Sequence, residues 1–116
     1  MIFAGNTRVY IYSGIVDMRN SIDGLSAMVQ SFMKEDPFTG NLFVFSNRYH
    51  NIIKILYWHT NGFCLWMKRL EKGRFKWPSP SSDVCCITER ELSWLLEGLD
   101  FRNVQAHREL KYLTTY

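Results

Sequence analysis

The sequence predicts a single α+β domain, an antiparallel β-meander of about four to five strands with two packed helices. Three observations predict it. Aromatic and β-branched runs between Leu42 and Trp77 are punctuated by residues that favour tight turns. Met18, Ile22, Leu25, Val29 and Phe32 recur at spacings of three and four, the stripe of an amphipathic helix. Thr88-Glu89-Arg90-Glu91 is a capping box set directly before Leu92, Leu95, Leu96 and Leu99.

Taken in order, Thr7 to Tyr12 reads as a short strand that Ser13-Gly14 ends. Asp17 then stands as the N-cap of a helix over 17–33, its carboxylate accepting from free backbone amides. Gly24 costs that helix about 1 kcal/mol relative to alanine. It marks either close packing on the sheet or a boundary between a first turn and the main helix. Asp36-Pro37-Phe38-Thr39-Gly40 ends the element as a turn. Four apolar runs follow, at 42–45, 52–58, 63–70 and 75–77. If Asn61-Gly62 is a two-residue type I′ loop, Thr60 pairs with Phe63, Tyr57 lies beside Trp66, and Lys54 lies opposite Arg69. Two like charges directly opposite are a local cost that an anion would relieve. Pro78-Ser79-Pro80-Ser81-Ser82 reads as a linker, Val84 to Ile87 as a short edge strand, and 88–97 as the second helix, ended by Gly98. The domain is expected to span 1–101. The 102–116 tail is left as a short helix, a docking segment or a frayed end.

A chain of 116 residues, 47% hydrophobic and 16% aromatic, is expected to fold as one domain without disulfides or metal. No apolar run approaches the roughly 20 residues that span a bilayer, and the start lacks the pattern of a leader, so the cytoplasm is the expected compartment and no membrane partner is implied. Cys64 reads as a small hydrophobe, Cys85 and Cys86 point to opposite faces of a strand, and His50, His59 and His107 are scattered. No metal site and no cofactor are expected. Cys64 with His59 superficially resembles a nucleophile and base, but nothing orients them, and no phosphate-binding or metalloprotease motif is present. No catalytic residues are assigned.

The charge is informative. The net +3 is unevenly spread: residues 41–80 hold Arg48, Lys54, Lys68, Arg69, Lys72, Arg74 and Lys76 against Glu71 alone. Cations of this kind neutralise phosphates, and exposed aromatics stack on bases. A nucleic-acid surface is therefore expected at these seven residues, with Tyr57, Trp66 and Trp77 as stacking groups. The plainer reading is a solvated sheet face above a core of aromatics.

Val16-Asp17-Met18-Arg19-Asn20-Ser21-Ile22-Asp23-Gly24-Leu25 resembles the V-D-M-R-K-S-I-D-G-L signature of the accessory proteins, called TnpB or second-frame proteins, of insertion-sequence-66-type transposable elements. Asp36-Pro37-Phe38-Thr39-Gly40, Leu42-Phe43-Val44-Phe45, Asn47-Arg48 and most of Lys54 to Phe75 match as well, so the resemblance runs from about Thr7 to Leu99. It is not to the unrelated RNA-guided nuclease that shares the TnpB label. The resemblance implies a non-enzymatic protein that assists transposition by contacting DNA, the transposase of the same element, or both. The alternative is a protein-interaction module that does not bind nucleic acid. Its oligomeric state is left open. One departure stands out: where the family continues N-R-R-R-D-R, this chain has Asn47-Arg48-Tyr49-His50-Asn51-Ile52. Fewer cations there imply weaker phosphate contact or a decayed copy, with His50 regaining some charge below about pH 6.5.

Overall fold

The computed structural model describes residues 6–79 and 82–102. Its elements are β1 (Val9–Ile15), α1 (Ile22–Ser31), β2 (Leu42–Ser46), β3 (Ile52–His59), β4 (Gly62–Arg69), β5 (Val84–Ile87) and α2 (Glu89–Leu96). The α+β class holds. The five strands form one sheet in the order β4-β3-β2-β1-β5. The meander is incomplete, because β1 and β2 run parallel while the other neighbours are antiparallel. Parallel neighbours need a crossover, and α1 supplies it.

Side-chain alternation builds a core on each face of the sheet. Val9, Ile11, Leu42, Val44, Ile53 and Ile55 point to one side, where Leu92 and Leu95 of α2 and Phe75 cover them. Tyr10, Phe43, Phe45 and Leu56 point to the other, under Leu25, Val29 and Met33 from α1 and the turn that follows it. Burial on both faces explains why β2 opens on four consecutive apolar residues, Leu42 to Phe45, with no polar alternation.

The elements begin and end for local reasons. In α2 the Thr88 hydroxyl accepts from the Glu91 amide at 3.0 Å, and the Glu91 carboxylate accepts from the Thr88 amide at 2.9 Å, the expected capping box. Gly98, at φ 86°, closes the helix: Leu99 N–H reaches the Trp94 carbonyl and Gly98 N–H the Leu95 carbonyl. Helix α1 starts later than expected. Ser21 is the N-cap, and Asp17 instead organises the preceding turn, accepting from the Arg19 amide at 2.9 Å. Gly24 marks a close approach by the Asn20 side chain, whose Oδ1 would lie 2.5 Å from an added Cβ. Strand β1 does not end at Ser13-Gly14 but continues through a bulge to Ile15.

The β3–β4 register corrects the expected one by two residues. His59 pairs with Gly62 and Lys54 with Met67, so Lys54 and Arg69 do not face each other; Arg69 sits opposite Ile52. Tyr57 pairs with Cys64 and Trp66 with Ile55. A two-residue shift conserves face, so every side chain still points to its expected side. The turn is Thr60-Asn61: Thr60 takes φ 55°, and Asn61 N–H donates to the His59 carbonyl at 2.5 Å. A β-branched residue is strained there, and glycine is not. Thr60→Gly is expected to stabilise the protein by about 1 kcal/mol, read as a higher urea midpoint at unchanged m-value.

Candidate nucleic-acid interface

Three loops meet along one rim of the sheet. The 16–21 loop leaves β1 at the end where Val16 N–H donates to the Ser46 carbonyl at 3.0 Å. The 47–51 loop joins β2 to β3. The segment after β4 returns beneath it, Leu70 N–H donating to the Asn51 carbonyl at 2.8 Å and Phe75 N–H to the His50 carbonyl at 2.7 Å. Residues far apart in sequence are thus held side by side by main-chain hydrogen bonds.

The 47–51 loop is rigidly built. The Asn47 side-chain oxygen accepts from the Asn51 and Ile52 amides at 3.1 Å each, and its amide nitrogen donates to Asn51 Oδ1 at 2.6 Å. His50 takes φ 53° and stacks on Trp77, with ring centroids 5.6 Å apart and planes 12° apart. Ser46 Oγ donates to the Ile52 carbonyl and lies 3.3 Å from His50 Nδ1, which assigns the imidazole proton to Nδ1. Arg48 and Tyr49 are left exposed.

The residues singled out in the sequence separate into two groups. Arg48, Lys72, Arg74 and Lys76 are exposed on the rim or the segment beneath it, and none of them forms an ion pair among the described residues. Arg69 is exposed but pairs with Glu71 at 3.3 Å. Lys54 is only 9% exposed, and its Nζ donates to the carbonyls of Met18 and Asn20 at 2.8 Å each. It fastens the 16–21 loop to the sheet and is not positioned to meet a phosphate. Lys68 donates to the Leu96 carbonyl at 2.8 Å, supplying from β4 the cation that the last turn of α2 lacks. Tyr57 and Trp66 are half-buried against the α2-side core, where burial, with Cys64 alongside, pushes the Tyr57 phenol up. Trp77 packs on the same core, and its indole N–H is buried with no partner among the described residues. The three expected stacking groups are thus half-buried, each packed against the α2-side core.

Sequence reasoning passed over the exposed Tyr49 and the Asp17–Arg19 pair at the same rim. The Arg19 guanidinium, 2.6 Å from Asp17 Oδ2, together with the Arg19 amide, holds the Asp17 carboxyl down at about 2. The pair is thus ionised throughout the neutral range. His50 shifts in the direction opposite to a rechargeable loop: burial, then the nearby Arg74, pushes its pKa below the usual 6.5. Among the described residues no group of three His, Cys, Asp or Glu side chains is placed to hold a metal ion, and no helix is long and apolar enough to cross a membrane. The 102–116 tail, past Arg102, lies outside the described residues.

The family described as IS66 Orf2 like protein matches residues 7–106. The chain is 42% identical over 100 residues to the Sinorhizobium fredii protein "Uncharacterized protein y4hO", covering 86% of this chain and 87% of that one. It is 33% identical over 98 residues to "Uncharacterized protein y4jC" of the same organism, covering 84% of each. No solved structure matches.

Two outcomes test the geometry. Lys54→Met removes a charged donor from two inward carbonyls and is expected to destabilise by about 2–3 kcal/mol in chemical denaturation. His50 is expected to titrate below 6.5 by NMR, and Arg74→Ala should move it back upward. Because the folded value is the lower one, the stability tied to neutral His50 is complete above about pH 6.5. It is lost as pH falls through that folded value.

Proposed function

The chain belongs to the family of IS66 Orf2-like proteins, and from that premise we propose that it is a non-enzymatic accessory protein of a bacterial insertion sequence that assists transposition by contacting DNA through the basic rim. The observation that carries this reading is the set of cations at Arg48, Lys72, Arg74 and Lys76, unpaired among the described residues, on loops fixed by main-chain hydrogen bonds. A backbone held this way needs little further ordering, which leaves only the side chains to be fixed when they meet phosphates. The carboxylates that share these loops, Asp17 and Glu71, are each matched by their own arginine, which leaves the rim field positive. Lys54, Lys68, Tyr57, Trp66 and Trp77 act as the supports of this surface.

A second reading is docking to the transposase of the same element, and a specific feature favours it. β4 is an eight-residue edge strand, and its Met67 is exposed, so it offers main-chain groups and an apolar side chain to a partner strand.

The rim reading predicts steep salt dependence, because each neutralised phosphate releases counterions. Affinity for element-end DNA, measured by fluorescence anisotropy across a salt series, is expected to fall log-linearly. Arg48→Ala with Arg74→Ala should flatten that slope by roughly 0.9 for each phosphate that is no longer neutralised. Binding that ignores both substitutions would sink the rim reading. Co-purification with the transposase, abolished by substituting Met67 and kept in the double arginine variant, would support the edge instead.

A further inference from the structure

Beside the cations lies a surface of different chemistry. An open cleft of about 370 Å³ is walled by Ile15, Val16, Met18, Ile52 and Tyr49, with Arg48 and Asp17 among its lining. Ile15 is 59% exposed and Tyr49 63% exposed, and neither packs into the core on either face of the sheet. The main chain of both is nevertheless fixed in place. Ile15 pairs with Ser46, and Tyr49 sits inside the loop that Asn47 braces at its far end. With Val16, Met18 and Ile52 they make one contiguous apolar patch on a fixed backbone, the kind of surface that marks a contact site.

The polar groups of the cleft say what it suits. Both oxygens of Asp17 are engaged by Arg19, Oδ1 by the amide and Nε, and Oδ2 by Nε and Nη2. That carboxylate is therefore neutralised. Arg48 has no ion-pair partner among the described residues. Asn47, also in the lining, spends its side chain on Asn51 and Ile52. What is left is an apolar wall with one aromatic residue and one cation unmatched among the described residues. The complement is a flat, weakly polar group that carries an anion close by.

We propose that this cleft seats one unstacked base of single-stranded DNA, the base against the Tyr49 ring and its phosphate on Arg48. The proposal rests on the reading of the rim as a DNA contact and adds which form of DNA it prefers. In a duplex the bases are stacked and only the backbone reaches the rim, whereas a single strand can turn a base into the cleft. Tyr49 is the decisive residue because base–aromatic stacking tolerates any sequence.

The test uses the full chain with a labelled mixed-sequence single strand and the blunt duplex of the same sequence, followed by anisotropy. The single strand is expected to bind more tightly. Tyr49→Ala should weaken it roughly tenfold, as removal of one stack predicts, and leave the duplex unchanged. Tyr49→Phe should retain wild-type binding. Ile15→Asp, which adds a carboxylate to the wall, should weaken the single strand as well. Salt-steep binding of both forms with no response to Tyr49→Ala overturns the cleft proposal and leaves the rim reading standing. Binding to neither form overturns both. Loss of transposase co-purification in Ile15→Asp at unchanged single-strand affinity assigns the cleft to a protein and also overturns it.

Discussion

The constraint on which this fold depends is that β1, β2 and β3 must be buried on both faces. Val9, Ile11, Val44 and Ile55 cannot be left to water on one side, nor Phe43, Phe45 and Leu56 on the other. A chain this short has two helices to cover two faces among its described residues, so each helix takes one. Placing α1 over its face requires the chain to leave the sheet after β1 and return in β2, which makes those strands parallel. The second face is longer than α2, and the segment carrying Phe75 and Trp77 completes the cover. That return path brings Arg74 and Lys76 toward the 47–51 loop. The distribution of charge at the rim is thus a consequence of core burial.

Within that frame, Lys54 links core and surface. A buried ammonium is tolerated where fixed acceptors replace its hydration, and the Met18 and Asn20 carbonyls do so. The same two bonds hold the 16–21 loop against the sheet, which fixes Asp17, Arg19 and Met18 relative to Arg48 and Tyr49. The resemblance to the accessory-protein signature joins these parts: the V-D-M-R segment and the K-I-L-Y-W segment lie far apart in sequence and meet at the Lys54 ammonium. Phe38 of the D-P-F-T-G turn has a comparable role at the other end of the sheet, packing its ring 5.2 Å from both Trp58 and Phe63.

Some elements were legible because their cause is local. The capping box of α2 and its glycine stop follow from residues within one helical turn, and they stand as expected. The faces of β3 and β4 were also legible, since alternation alone assigns them. The register was not. Asn61-Gly62 is a favourable turn dipeptide, but the hairpin closes one residue earlier, with Thr60 in a strained conformation. Pairing along eight residues outweighs about 1 kcal/mol of local strain. Asp17 misled for a similar reason: a carboxylate before an apolar stripe resembles a helix cap, yet Arg19 two residues on is the closer partner.

The amino-acid sequence by itself determined the second helix, the side each residue of β3 and β4 faces and the family, because these rest on turn chemistry, periodicity and a continuous signature. Only the tertiary structure decided which cations are free. Lys54 and Lys68 look the same in sequence as Arg48 and Arg74, and they differ in what stands opposite. Their ammonium groups meet carbonyls 28 to 36 residues away in the chain, while the two arginines meet no carboxylate among the described residues. A charge is committed or available according to groups brought to it by the fold, and no local pattern encodes that distance.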